Sequence, residues 1–206
     1  MSSISKVIIG NMALGHVGAR DAIESIDEES TVARQVRLWY DFSREQTLAA
    51  FDWSFARKRV ALALIEEVPT GDPLAGEWSY RYQYPADCIA ARYIVNPLGK
   101  TADAVPFEVE VSEGGEAKTI LTDMEDPVLV YTFDQQLTSI FSPYFVQTLS
   151  ILLGSHIAYP VTGKMKLKGE LLNLFGSYIR AASAHDANER VSAPPREAEN
   201  IRARNS

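Results

Sequence analysis

The chain has one cysteine, Cys88, and three histidines, His16, His156 and His185, among 206 residues. A single thiol excludes a disulfide scaffold and fits synthesis in a reducing compartment. Metal binding needs convergent ligands, and these histidines fall on separate segments with no cysteine pair beside them, so no zinc site is expected. No run of about 18 apolar residues occurs, which excludes a helical membrane span. A secretory leader is not expected either, because Lys6 sits inside the first periodic segment and Gly10 and Asn11 interrupt its apolar run. Internal repeats and low-complexity tracts are absent. Net positive charge is missing too: 20 basic against 27 acidic residues give −7, which argues against a general nucleic-acid coat.

The charge that is present is unevenly spread. Residues 56–134 carry 7 basic and 14 acidic side chains, whereas residues 135–206 carry 8 and 5. Different parts of the molecule therefore face different neighbours or solvent. With 46% hydrophobic residues, the chain is long enough to bury a sizeable core without staples.

The first third reads as helix. Ile4, Val7, Ile8 and Met12 share one stripe, and Gly15 and Gly18 mark its end. Asp27-Glu28-Glu29-Ser30 then supplies acids and an N-cap before Val32, Val36, Trp39, Tyr40 and Leu48, predicting a second helix to about Phe51 or Trp53. From Arg59 the period becomes two. Six strands are predicted: Arg59–Glu66, Tyr80–Tyr84, Ala90–Asn96, Phe107–Val111, Lys118–Thr122 and Val128–Phe133. Short strands with turns between them suggest a small antiparallel sandwich or barrel. Ser142-Pro143 then opens a third helix, with Phe145, Leu149, Leu152, Leu153 and His156 on one face and an end at Tyr159-Pro160. A fourth follows Thr162-Gly163, carries Leu171, Leu172, Phe175, Ile179 and Ala182, and reaches about Asn188. Residues 191–206 have almost no large apolar group and form an extended C-terminal tail that cannot bury itself. The expected class is α+β. A four-helix core comes from residues 1–55 and 135–190, because each helix has one apolar stripe that needs a partner, and residues 56–134 form an inserted β domain.

Catalytic constellations are mostly lacking. Gly10 and Gly15 have phosphate-loop spacing, but His16 and Val17 stand where lysine and a hydroxyl are required. Gly163-Lys164 lacks the upstream glycine. Cys88, after Pro85-Ala86-Asp87, reads as an inert thiol rather than a nucleophile paired with histidine. Glu108 and Glu110 point the same way along a strand, which makes a solvated face more readily than an acid pair. His156 reads as a core or interface histidine. No cofactor and no enzymatic activity are expected. Two basic clusters remain. Arg57-Lys58-Arg59 follows Trp53-Ser54-Phe55, an interleaving that suits single-stranded nucleic acid or a helix-to-strand junction with core aromatics. Lys164, Lys166 and Lys168 open a predicted helix, where positive charge opposes the dipole and an acidic neighbour would compensate.

The segment Ile9-Gly10-Asn11-Met12-Ala13-Leu14-Gly15-His16-Val17-Gly18, the acidic turn Ile26–Ser30 and the helix with Ala33, Arg34 and Trp39-Tyr40 form an ordered set. Ala50-Phe51-Asp52-Trp53-Ser54-Phe55-Ala56-Arg57, followed by Ala61-Leu62-Ala63, and Tyr80–Cys88 continue it. Together they resemble the tail tubular protein A type of head-to-tail adaptor of short-tailed bacteriophages and related tailed particles. The resemblance covers residues 4–134 by motif and the remainder by its two-helix ending. It implies a helical bundle with an inserted β domain, assembled as a ring of twelve copies between the portal protein above and a tail nozzle or tail tube protein below. DNA would pass through the channel without specific binding, no membrane would be involved, and the protein would reside in the virion neck after assembly in the host cytoplasm. The family supplies no catalytic residues. In that setting Lys164, Lys166, Lys168 and the tail residues Arg196, Arg202 and Arg204 are expected to meet acidic surfaces of portal or of a neighbouring subunit. The competing expectation is a DNA-binding accessory or packaging module using Arg57–Arg59 and the same lysines.

Overall fold

A computed structural model describes residues 4–99, 103–112 and 114–189. Among them are four α-helices: α1 (Lys6–Val17), α2 (Thr31–Ala50), α3 (Pro143–Thr162) and α4 (Met165–Glu189). Seven strands lie between α2 and α3: β1 (Arg57–Ala61), β2 (Leu64–Glu67), β3 (Tyr80–Gln83), β4 (Cys88–Ile94), β5 (Glu108–Val111), β6 (Lys118–Thr122) and β7 (Val128–Phe133). The fold is α+β with the strands inserted between helix pairs. No helix of the described residues is long and apolar enough to cross a membrane.

Helix starts follow from local chemistry. The Ser30 hydroxyl accepts from Ala33 N at 3.1 Å, and Ser142 does the same for Phe145 N at 3.3 Å with Pro143 next in line. Each occupies an N–H that the helix leaves without a partner. Ser5 caps α1 in the same way. Before α2, Glu28 takes the Ser30 hydroxyl and the Glu24 backbone N–H, so its carboxylate organises the turn as well as facing the helix end.

The bundle is arranged around α3, which packs on α1, α2 and α4. The single apolar stripe expected for α3 is therefore incomplete. Residues on every side of it, from Phe145 and Val146 through Ile151 and Leu153 to Ile157 and Ala158, are buried. A helix apolar all round belongs in the middle of its bundle. It also runs past the expected end at Tyr159-Pro160 to Thr162. Pro160 costs one hydrogen bond there, and Gly163, at φ 71°, closes the helix by donating to Tyr159 O at 2.8 Å. α1 approaches closely at Gly10, where a Cβ would stand 2.9 Å from Val36 Cγ1. Asn11 locks the following loop, exchanging two hydrogen bonds with the backbone of Ile23.

The strands form a sandwich of two antiparallel sheets, ordered β1-β7-β4 and β2-β3-β6-β5. Leu62, Tyr82, Ile94, Ile120, Leu129 and Tyr131 fill the space between them. The predicted strand Arg59–Glu66 is two strands in different sheets. Its period of two persists to Leu64 because the chain crosses between sheets while still paired: Leu62 N donates to Pro127 O, and Ala63 O accepts from Gln83 N, and a register shift between Leu64 and Glu66 then ends the alternation.

Two arginines fasten the sandwich to the bundle. Arg92, on β4, donates to the carbonyls of Leu48, Ala49 and Phe51 at 3.0, 3.1 and 2.7 Å, and to Thr132 Oγ1 at 2.8 Å. It thereby caps the C-terminal end of α2 with positive charge. Arg44, only 2% exposed, pairs with Asp134 just beyond β7 and donates to Gln135 O at 3.0 Å.

Candidate functional site

The α3–α4 corner places the cluster singled out from the sequence. Thr162 Oγ1 accepts from Lys164 N at 3.2 Å, and α4 begins at the next residue. Lys164 and Lys166 face the C-terminal turn of α1 across a groove of about 640 Å³. Its walls include His16, Val17, Met165 and Leu167, with Glu170 as the one carboxylate. Both lysines are exposed and make no ion pair among the described residues. The groove therefore offers cations over an apolar floor, a combination suited to an acidic protein surface.

Lys168 is oriented differently. It sits near His156 of α3, and burial followed by the Lys168 charge pushes that imidazole below its ordinary value. His156 is half-buried, stacked on Trp39 with centroids 4.7 Å apart and edge-on to Phe42 at 5.6 Å. It joins α2 to α3, which is the interface role expected of it. Arg196, Arg202 and Arg204 lie outside the described residues.

The second basic cluster is a junction. Trp53 is buried, donates Nε1–H to Thr47 O at 2.8 Å and packs edge-on against Phe145. Phe55 joins Phe141 and Phe145 in the same core. Arg57 pairs with Asp52 at 2.7 Å, and Lys58 with Asp87 at 2.6 Å while lying 3.9 Å over the Phe133 ring. With its aromatics inside and two of its three cations paired, the segment does not form a platform for stacked bases.

The remaining chemical candidates separate in space. Burial pushes the Cys88 thiol up, which opposes thiolate formation, and the groups acting on it are Tyr84, Asp87, Lys118 and Arg92 rather than a histidine. Glu108 lies exposed on edge strand β5 with Glu110 beside it. His16 Nε2 is 3.1 Å from Ser150 Oγ, but that serine is wholly buried in the α1–α3 contact. Gly10 serves helix packing instead of a phosphate loop. No group of three potential metal ligands converges among the described residues. Sequence reasoning missed Arg44 and Arg92. A signal for Arg44 existed, since it falls between Tyr40 and Leu48 on the buried stripe of α2.

No protein-family model and no curated protein matches the chain.

Proposed function

We propose that the chain is a structural adaptor subunit, one of a ring of copies joining a portal to a tail and surrounding the path of DNA. The observation that carries this reading is the architecture. Two helices, a β insertion and two helices follow one another along the chain, with α3 packed on the other three helices, in the order implied by the adaptor family that the sequence motifs resemble. The charge distribution supports it as well. The cationic groove lies at the α1–α4 end of the bundle, whereas the acidic segment 56–134 forms the sandwich held at the C-terminal end of α2. An acidic surface lets DNA pass without capture, because phosphates release counterions only to clustered cations. The groove with Lys164 and Lys166, helped by Lys168 and by Arg196, Arg202 and Arg204 of the tail, receives acidic side chains of portal or of a neighbouring subunit. The chain performs no bond-making in this account.

The test is mass measurement of the purified chain, alone and mixed with portal rings. Saturable assembly on the rings is expected, and replacing Lys164, Lys166 and Lys168 together by glutamate should weaken it at least tenfold. Unchanged docking of that variant would remove the lysines from the interface. A chain that ignores portal but binds DNA with a steep salt dependence would replace the adaptor reading with the DNA-binding one.

A further inference from the structure

The connection between α1 and α2 is an ordered acidic loop. Residues 19–30 carry five acidic side chains and one basic, and Asp21, Glu24, Asp27 and Glu29 are exposed. The backbone is held from several sides. Asn11 grips Ile23, Arg37 donates to Ile26 O at 3.3 Å, and Glu28 takes the N–H groups of Glu24 and Ser25 together with the Ser30 hydroxyl. Carboxylates on a loop fixed in this way lose little further freedom on meeting a partner. Of the four exposed ones, Asp27 alone has an ion pair among the described residues, with Arg37 at 4.0 Å.

The groove between α1 and α4 has the opposite charge. Residues 161–170 carry three basic side chains and one acidic, and Lys164 and Lys166 line the groove beside Val17, Met165 and Leu167. Loop and groove use different faces of α1. Gly10 and Asn11 face the loop, since a Cβ on Gly10 would touch Ile23 as well as Val36. His16, which lines the groove, comes five to six residues later, a turn of roughly 120–140° about the helix axis. The stretch from Ile23 to Ser30 is therefore pinned between α1 and α2, and it leaves the groove of its own molecule open to another chain.

The two features also stand at one level. Lys6 pairs with Asp41 at 3.8 Å, and Gly10 meets Val36, so α1 and α2 run antiparallel. Continuing that register brings Thr31, the start of α2, level with Gly15, which lines the groove. The acids just before Thr31 are thus at the height of Lys164 and Lys166 but on another flank of the bundle. A second copy displaced sideways presents its loop at groove height without inversion of the molecule. Such a contact joins unlike faces and repeats from copy to copy, and equal height lets the series close instead of climbing.

The geometry points to the acidic loop of a second copy of this chain as the occupant of the α1–α4 groove, with Glu24, Asp27 and Glu29 set against Lys164 and Lys166. The inference rests on reading the chain as a repeating subunit whose groove takes acidic side chains, and it names the segment that supplies them. Single exposed ion pairs contribute little, so the contact works through several charges at once and fixes which flank meets which.

The experiment couples carboxylates to amines with a carbodiimide in an equal mixture of unlabelled and nitrogen-15-labelled full chains, alone and on portal rings. Mass spectrometry should find links of mixed isotope between Lys164 or Lys166 and Glu24, Asp27 or Glu29, at least tenfold fewer in 0.5 M salt, where such charges are screened. Links absent under both conditions, or confined to one isotope, overturn the contact. Two reversed chains complete the test, one with Lys164→Glu and Lys166→Glu, the other with Glu24→Lys, Asp27→Lys and Glu29→Lys. Each alone should assemble at least tenfold more weakly in sedimentation, and their mixture should recover, because every groove then meets a loop of opposite sign. A loop-reversed chain that assembles as well as the unmodified one overturns the loop as occupant. Should that chain lose its helical circular dichroism, Glu24→Gln with Glu29→Gln replaces it and should weaken assembly about threefold. Docking of the unmodified chain on portal without the mixed links overturns the loop contact and leaves the adaptor reading standing. Mixed links without docking do the reverse, and neither links nor docking overturns both.

Discussion

At the scale of single residues, two histidines make stability depend on pH. Burial pushes His16 below its ordinary value, and burial with the nearby Lys168 does the same to His156. The unfolded chain takes up these protons near pH 6.5, the folded chain only below that. Between the two values the unfolded state binds more protons, so stability falls as the pH drops through about 6.5 and levels off once the folded side chains are charged. Urea midpoints at pH 7.5 and 5 should show the fall, and the variant carrying His16→Gln and His156→Gln should show a flatter profile. In addition, Lys168→Glu should raise the NMR titration midpoint of His156, because it replaces a repelling neighbour with an attracting one. An unmoved midpoint would place Lys168 away from the imidazole.

At the scale of elements, glycine substitutions separate packing from propensity. Gly10→Ala forces a methyl against Val36 and Ile23 and should cost about 1–3 kcal/mol despite the better helix former. Gly169 in α4 has open space where its Cβ would stand, so Gly169→Ala should stabilise by about 0.5–1 kcal/mol. Thermal melts of opposite sign check the pair. These elements also show how far the sequence could be read. Caps such as Ser30 and Ser142 were legible because capping is local chemistry, and Gly18 and Gly163 marked ends for the same reason. The split of Arg59–Glu66 was hidden, since alternation persists while a strand changes sheets. Pro160 misled, because one lost hydrogen bond near a helix end is outweighed by the burial of Ile157 and Ala158 just before it. The lysine cluster was legible as a segment, yet only its contact with α1, distant in sequence, reveals that Lys164 and Lys166 share a groove and Lys168 does not.

At the scale of the whole molecule, the proposed adaptor role would require the sandwich and bundle to move together, and two arginine networks join them. Arg92 reaches three carbonyls at the end of α2, a fork that lysine cannot reproduce. Arg44 is buried among Asp134, Gln135 and Asp41, so removing a partner leaves a buried charge. Tryptophans report on each side of the joint: Trp53 lies in the bundle core and Trp78 in the connection between β2 and β3. Chains keeping only one of the two, with Trp39 also replaced, should unfold in urea with coincident midpoints, as one cooperative unit does. Arg92→Ala should lower both midpoints, by about 1.5–3 kcal/mol for its charged hydrogen bonds. Combined with Arg44→Met it should separate them, the bundle outlasting the sandwich because its apolar core is the larger. Arg92→Lys should recover only part of the loss. If the midpoints stay coincident in the doubly substituted chain, apolar contacts and not these arginines carry the coupling.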